Sequence, residues 1–305
     1  LFRYTDGENL FTDRIFMDVG DGHILADSGG ALLFSSNQIC EELLVILDGR
    51  RDPVALDASH ARAIADRHTG IGCDQVIVVS PPEDARADAF MRIHNADGGE
   101  VAACGNATRC VASLLMAETG SDNVCIQTLA ALLNVQSTGD VLVTVDMGVP
   151  GLAWDDIPLA REQDTMRLSI AAGPLSQPVA VGMGNPHAVF FVDDAETIDL
   201  AELGPKLEHD AMFPERANIG VAQLTDENQL RLRVWERGAG ITLACGTGAC
   251  AAAVAAHRRG LTGRTVTITL DGGKLEIDWR DDDHVMMTGP VATSFTGELD
   301  LAALT

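Results

Sequence analysis

The segment AACGNATRCVAS at residues 102–113 and the segment LACGTGACAAAV at residues 243–254 share one pattern. In each, Ala-Cys-Gly is followed by a polar residue, small residues, a second cysteine and a run that favours helix. The two copies lie 141 positions apart, which indicates two related halves of the chain. We predict that each glycine-rich turn leads into a helix, with Cys104 and Cys245 at the two helix starts.

Strand patterns surround both segments. The buried-strand runs LLVIL at 43–47 and VIVV at 76–79 flank a predicted helix within 59–68, and AFMRIH at 89–94 leads into a turn at NADGGE. The second half repeats this order, with strands at PVAVGM and AVFFV, a helix near AELGPKLEH, and a hairpin from TVTITL and KLEIDW. The segment MGVPG at 147–151 reads as a hinge. Together these patterns predict an α/β protein of two lobes.

The composition of the chain indicates which kinds of partner the protein is expected to lack. The 305 residues suffice for about two domains, and the net charge of -24 argues against a nucleic-acid partner. No apolar run reaches the roughly 20 residues that span a bilayer, so we expect no membrane partner. Seven cysteines without a CxxC pair fit neither a disulfide framework nor a tetrahedral zinc site. We expect a cytoplasmic protein with reduced thiols and no metal, and a homodimer is compatible with these features.

The paired cysteines suggest proton-transfer chemistry. A cysteine in the first turn of a helix faces the partial positive charge of the backbone N–H groups, which lowers its pKa and favours the thiolate. A thiolate on one side of a substrate carbon and a thiol on the other would invert an amino acid without a cofactor. A pyridoxal phosphate racemase would need a Schiff-base lysine, and neither Lys206 nor Lys274, the only two lysines, lies in a convincing cofactor site.

Five longer segments resemble the diaminopimelate epimerase family in their order and spacing: HTGIGCDQ at 68–75, RIHNADGGEVAACGNATRC at 92–110, MGNPHAVFFV at 183–192, FPERANIGV at 213–221 and RVWERGAGITLACGTGACAA at 233–252. The resemblance implies two pseudosymmetric α/β lobes (α+β type), each a curved, mostly antiparallel sheet around a central helix, with the active site in the cleft between them. It divides the chain into an N-terminal lobe at 1–148, which the returning strand at 290–305 joins, and a C-terminal lobe at 149–289.

The resemblance also implies the reaction: cofactor-independent interconversion of LL- and meso-diaminopimelate, a step toward lysine and peptidoglycan. By matching motifs, Cys104 and Cys245 transfer the protons, and His187 and Glu236 line the reaction centre. The implied substrate contacts are Gln75, Asn95, Gly105, Asn106, Asn185, Asn218, Glu236, Arg237, Gly246 and Thr247. Arg237 suits this role because a guanidinium can bind a carboxylate through two hydrogen bonds.

The chain departs from the family pattern at its beginning and near the second cysteine. Glu42, within CEELLVILD, stands where the family has a substrate-contacting Asn, Asn37 lies five residues earlier, and residues 1–36 have no counterpart. Ile241 replaces an acidic residue. Two alternatives therefore stay open: a related epimerase or racemase for proline-like substrates, which Arg237 and the Asn set argue against, and a catalytically weakened homologue with a binding role.

Overall fold

The computed structural model describes residues 4–5, 10–11, 31–37, 40–139, 141–299 and 301, with side chains at 43–139, 141–292, 297, 299 and 301. In the part described, four α-helices lie at Ala58–Ala65 (α1), Gly105–Thr119 (α2), Leu200–Glu208 (α3) and Gly246–Arg258 (α4), with a short 3-10 helix at Ala195–Thr197. None of these helices has the length and hydropathy that membrane crossing requires.

Strands dominate the chain. In order they are Tyr4–Thr5 (β1), Leu10–Phe11 (β2), Ala31–Asn37 (β3), Cys40–Asp48 (β4), Gln75–Ser80 (β5), Ala89–Asn95 (β6), Glu100–Val101 (β7), Asn123–Gln127 (β8), Leu132–Ser137 (β9), Leu142–Asp146 (β10), Ala171–Ala172 (β11), Leu175–Ser176 (β12), Val179–Gly182 (β13), Pro186–Phe191 (β14), Asn218–Asp226 (β15), Gln229–Glu236 (β16), Gly240–Thr242 (β17), Thr265–Leu270 (β18), Gly273–Trp279 (β19), Val285–Pro290 (β20) and Thr293–Glu298 (β21).

The chain forms two compact units, Leu1–Val145 with Pro290–Thr305, and Asp146–Gly289. The sequence places the lobe boundary between residues 148 and 149, close to this division, and the assignment of the units as functional domains stays a prediction. The predicted hinge at 147–151 lies just after the boundary between the units.

Strand pairing is the same in both units. In the first unit β3 pairs antiparallel with β4, β4 parallel with β5, β5 antiparallel with β6, and β6 pairs with both β7 and β8. In the second unit β13 to β18 repeat this series of antiparallel and parallel neighbours in the same order. The internal repeat predicted from the two cysteine segments is therefore present in the topology.

A buried helix follows the same strand in each unit. In α4, Gly246 and every residue from Gly248 to Ala256 are buried, and the helix packs against strands of its own sheet. Small side chains make this contact close, because an Ala-rich helix surface lets strand side chains approach its backbone. In α2 the first eight residues are all buried. The predicted α/β class, with a sheet around a central helix in each unit, is confirmed.

A second helix covers the other face of each sheet. In the first unit α1 buries Ala61 and Ile64, and Ile64 lies in a cluster with Val45 and Val76. In the second unit α3 contributes Leu200, Leu203 and Leu207 to a larger cluster with Phe190 and Ile219. Strands covered on both faces read as unbroken apolar runs, which explains VIVV and LLVIL. The polar residues of the candidate site lie at the ends of these strands.

Candidate functional site

Cys104 ends the turn before α2. It is the N-cap residue, with an extended backbone at φ −148° and ψ 117°. Its carbonyl accepts from the Thr108 backbone N–H at 3.0 Å and from the Thr108 hydroxyl at 2.8 Å, which fixes the first turn. One turn on, the buried Arg109 donates to Asn106 Oδ1 at 2.9 Å. The predicted helix start at Cys104 is confirmed.

Two amides lie at the strand ends of the first unit. Gln75 begins β5, Asn95 ends β6, and the two residues pair directly across the sheet. Gln75 Nε2 donates to Asn95 Oδ1 at 3.0 Å, whereas Gln75 Oε1 is buried and accepts no hydrogen bond from the described residues. A buried carbonyl oxygen of this kind is costly unless a ligand or water donates to it. The pair can therefore receive a donor such as an ammonium group.

Cys245 occupies the matching position in the second unit. It is the N-cap of α4, with φ −143° and ψ 102°, and its Sγ accepts from the Gly248 N–H at 3.3 Å. A Cβ on Gly248 would stand 3.0 Å from that sulfur, so glycine permits the contact. The Thr247 hydroxyl lies 3.7 Å from Sγ. The thiol therefore points at the helix N-terminus, as predicted.

The surroundings of Cys245 act on its pKa in the direction opposite to that of the helix start. Burial, followed by the negative charge of Glu236, raises the pKa of the Cys245 thiol well above its ordinary value. The prediction that the helix start would make this thiolate available near neutrality is wrong for Cys245. The Gly248 N–H does lower the pKa, but loss of water around a thiol that is 5% exposed outweighs it. At neutral pH Cys245 rests as the thiol.

Glu236 stands at the end of β16 beside this thiol. The Thr242 hydroxyl donates to its Oε1 at 2.5 Å. Burial raises the pKa of the Glu236 carboxyl, while hydrogen bonds from Thr242 and Cys245 lower it in part. Because its pKa is raised, this carboxyl binds a proton more readily than an ordinary glutamate, which makes it a candidate partner for proton exchange with the neighbouring thiol. The structure thus brings together Glu236 and Cys245, which the resemblance assigns to the reaction centre.

A second polar group lies where β14 and β15 run side by side. His187 pairs in register with Asn218, and its Nε2 contacts Asn185 Oδ1 at 2.8 Å. Burial, followed by the positive charge of Arg237, lowers the pKa of His187 to about 3. His187 is therefore neutral at pH 7. Because Asn185 Oδ1 only accepts, Nε2 carries the proton and Nδ1 is the acceptor.

Asn218 joins this group to Arg237. Its Oδ1 accepts from the Arg237 backbone N–H at 2.9 Å, and its Nδ2 donates to the Pro186 carbonyl at 3.3 Å. The guanidinium of Arg237 donates to the Glu215 carbonyl at 3.0 Å, and the residue is exposed. An exposed guanidinium held at one nitrogen suits the binding of a carboxylate.

For the remaining predicted positions, the structure gives mainly the element on which each residue lies. Gly105 and Asn106 open α2, and Gly246 and Thr247 open α4. Ile241 is 43% exposed in β17. Glu42 lies in β4 and Asn37 in β3, and both side chains lie outside the described part. Among the residues described, no three His, Cys, Asp or Glu side chains cluster as metal ligands would.

Sequence reasoning missed Glu208. This buried glutamate at the end of α3 contacts the turn that carries Glu236 and Arg237. The only signal in the sequence was an acidic residue that closes a predicted helix, shortly before FPERANIGV.

The fold matches that of a solved hydroxyproline epimerase from Agrobacterium vitis, which holds trans-4-hydroxy-L-proline. The TM-score is 0.61 at 16% sequence identity, and the match covers 87% of this chain and 91% of the other. With the repeated units and the paired helix-start cysteines, this fold defines the class: two-repeat α/β proteins in which each unit wraps a sheet around a buried helix.

The sequence comparisons narrow the class to one family. The profile described as diaminopimelate epimerase matches residues 41–153 and 179–294. The diaminopimelate epimerase of Rhodospirillum centenum is 60% identical over 255 residues, which cover 84% of this chain and 88% of the relative. The enzyme of the same name from Acidiphilium cryptum is 58% identical over 260 residues, 85% of this chain and 93% of the relative. The chain belongs to the diaminopimelate epimerase family, so it is an isomerase with a small-molecule substrate.

Proposed function

We propose that this chain interconverts LL- and meso-diaminopimelate by moving the α-proton between substrate and the two cysteines, Cys104 and Cys245. One observation carries the proposal. The two cysteines occupy the same N-cap position before a buried helix in each repeat, with nearly the same extended backbone angles. Inversion of a carbon needs an acid and a base on opposite sides of it, and a repeat supplies two equivalent groups.

The environment of Cys245 supports a donor role in the resting enzyme. Its raised pKa keeps the proton on sulfur, ready for transfer to a carbanion-like carbon. Once the proton has left, the Gly248 N–H stabilises the thiolate. For the opposite direction the thiol must first lose its proton, and Glu236, the neighbouring carboxyl with its own raised pKa, is the acceptor we assign.

The two helix starts supply the carboxylate site. The first N–H groups of a helix have no partner within it, and the helix dipole favours an anion there. We assign Gly105 and Asn106 in α2, and Gly246 and Thr247 in α4, to the carboxylate at the reacting carbon. Negative charge that develops in the transition state spreads onto this carboxylate, so these donors act where they lower the barrier.

The amides and the arginine are assigned to the substrate's distal end, which carries a second ammonium and a second carboxylate. Arg237 would bind the carboxylate, and the buried Gln75 Oε1 can accept from the ammonium. The other residues assigned to this end are Asn95, Asn185 and Asn218. His187, neutral and fixed by Asn185, lines the reaction centre as a hydrogen-bonding group.

The organisation of the molecule completes the proposal. We assign residues 1–148 with 290–305, and residues 149–289, as the two lobes of the protein. We also propose that the protein works in the cytoplasm, without a nucleic-acid or membrane partner, and its features are compatible with a homodimer.

The decisive experiment follows the α-proton of LL-diaminopimelate in heavy water by NMR, with chromatography to detect the meso form. We expect loss of the α-proton signal together with appearance of the meso product. Cys104→Ser and Cys245→Ser should abolish formation of the meso product, because inversion needs both groups, while Cys125→Ser, a control at a partly exposed cysteine in β8, should leave both readouts unchanged. If LL-diaminopimelate takes up no deuterium in the presence of the unaltered protein, the assignment is overturned. Near-normal formation of the meso product by Cys104→Ser or Cys245→Ser would refute the two-cysteine scheme.

A further inference from the structure

Glu208 closes α3 with a carboxylate that is almost fully buried. The residue is 3% exposed. Its Oε2 accepts from the Trp235 indole N–H at 2.7 Å, and its Oε1 accepts from the Gly238 N–H at 3.0 Å and from Arg216 Nη1 at 3.3 Å. A buried carboxylate is stable only when donors of this kind replace its water. The contacts therefore join α3 to segments far away in the sequence.

Two of the three donors bracket the proposed functional residues. Trp235 and Gly238 immediately flank Glu236 and Arg237 at the end of β16. The indole of Trp235 lies directly against Gly204 of α3, where a Cβ would come within 2.5 Å of the ring. Since the ring is seated on α3 and its N–H is bound there, Glu208 anchors the turn on both sides of the two residues.

The third donor, Arg216, lies in the loop before β15 and links that loop to Glu208. Arg216 has φ 61°, a conformation rare outside glycine, and the backbone N–H of Ala217 donates to the Glu208 carbonyl at 3.3 Å. The neighbouring Glu215 carbonyl accepts from Arg237. Glu208 thus holds both the turn that carries Arg237 and the loop that its guanidinium contacts.

We infer that Glu208 is a positioning residue: it sets the turn from Trp235 to Gly238 so that Arg237 meets the distal carboxylate and Glu236 stays beside Cys245. The inference rests on the proposed function for the roles of Arg237 and Glu236. As a positioning residue, Glu208 itself touches neither the substrate nor the thiol. Its effect passes through its contacts with the Trp235 indole, the Gly238 backbone and the Arg216 guanidinium.

The informative variant is Glu208→Gln. A Gln side chain can place its oxygen at the Oε1 position, but its NH₂ group then faces the Trp235 N–H, donor against donor. The matched control is Glu202→Gln on the same helix, which removes the same charge from an exposed residue paired with Lys206. Circular dichroism and thermal melting confirm that each variant is folded.

The first measurement needs no substrate. Hydrogen–deuterium exchange of the intact protein should rise in peptides that cover 235–239 in Glu208→Gln, with no rise in peptides of α4 and none anywhere in Glu202→Gln. Unchanged exchange at 235–239 would overturn the inference. If Glu208→Gln does not fold, Trp235→Phe removes one donor from the same carboxylate, and the same criterion applies to residues 236–239.

The second measurement separates positioning from general destabilisation. We expect Glu208→Gln to raise KM for diaminopimelate about tenfold, the size that loss of one hydrogen bond to a charged group produces. In an Arg237→Ala background the same change should raise KM less than about twofold, because the group it positions is absent. An equal rise in both backgrounds would refute positioning through Arg237. If the unaltered protein does not exchange the α-proton of diaminopimelate, the proposed function fails. The hydrogen–deuterium exchange of peptides 235–239, which needs no substrate, then decides the role of Glu208 alone.

Discussion

A thiol at a helix start experiences two opposing effects, and Cys245 shows which one prevails. The helix dipole and the Gly248 N–H favour the thiolate, and each is worth on the order of 1 kcal/mol. Burial and a carboxylate nearby favour the thiol, and they win at this residue. A sequence motif reveals the helix start but not the depth of burial, so the position of Cys245 was predictable and the direction of its pKa shift was not.

Replacing the carboxylate tests this balance. Glu236→Gln removes the negative charge that raises the Cys245 pKa, so that pKa should fall and the thiolate should form at lower pH. Mass spectrometry can follow the pH dependence of iodoacetamide labelling at Cys245 and separate it from labelling at other cysteines. Thr242→Val, which removes the hydrogen bond to Glu236 but keeps its charge, serves as the control. A labelling midpoint that stays in place or moves to higher pH would contradict the assigned role of Glu236's charge.

At the scale of elements, the turn between β6 and β7 places Asn95 against Gln75. The Asn95 N–H donates to the Gly99 carbonyl at 2.8 Å, and Gly98 closes the turn with φ 83°. A Cβ on Gly98 would stand 2.4 Å from the Ala58 carbonyl oxygen at the start of α1. Glycine is therefore required at this position for two reasons: the backbone has a positive φ, and there is no room for a side chain.

Gly98→Ala should lower the free energy of unfolding by about 2–3 kcal/mol and raise KM, because relief of the collision moves Asn95. Gly120→Ala is the matched control. Gly120 also has a positive φ, 68°, but a Cβ added there would meet nothing within 4 Å. This variant should therefore cost only about 1–2 kcal/mol and leave KM unchanged. Urea unfolding and steady-state kinetics measure both effects, and equal losses of stability in the two variants would show that the contact with Ala58 is unimportant.

The regular elements were largely readable from the sequence, whereas the polar contacts between them were not. The predicted helices at the two cysteines, near AELGPKLEH and within 59–68 are all present, as is the hairpin of β18 and β19. These elements have strong periodicity and clear stop signals. Glu208 and Trp235 meet across 27 positions of sequence, and Asp146 and His284 across 138. No local pattern encodes such pairs, since they depend on how the sheets bring distant segments together.

At the scale of the whole molecule, the repeat makes β4 and β5 of the first unit equivalent to β14 and β15 of the second, so the strand register shows which residues correspond. Leu44 pairs with Gln75 at the start of β5, and His187 pairs with Asn218 at the start of β15. Two residues before Leu44 stands Glu42, and two residues before His187 stands Asn185. The repeat thus places an amide in the second unit where the first has Glu42, at the same position where the family resemblance expects a substrate-contacting Asn.

Glu42→Asn should therefore improve the enzyme. A carboxylate at a substrate-contacting position repels a substrate carboxylate, and an amide both removes that repulsion and offers a donor. We expect KM for LL-diaminopimelate to fall about tenfold, the usual worth of one hydrogen bond to a charged group, with little change in kcat. Glu41→Asn, one residue along the same strand, removes the same charge and should leave KM unchanged. An unchanged or higher KM in Glu42→Asn would mean that β4 contributes nothing to substrate binding at this position, and equal improvement in both variants would point to the overall charge of -24 rather than to a local contact.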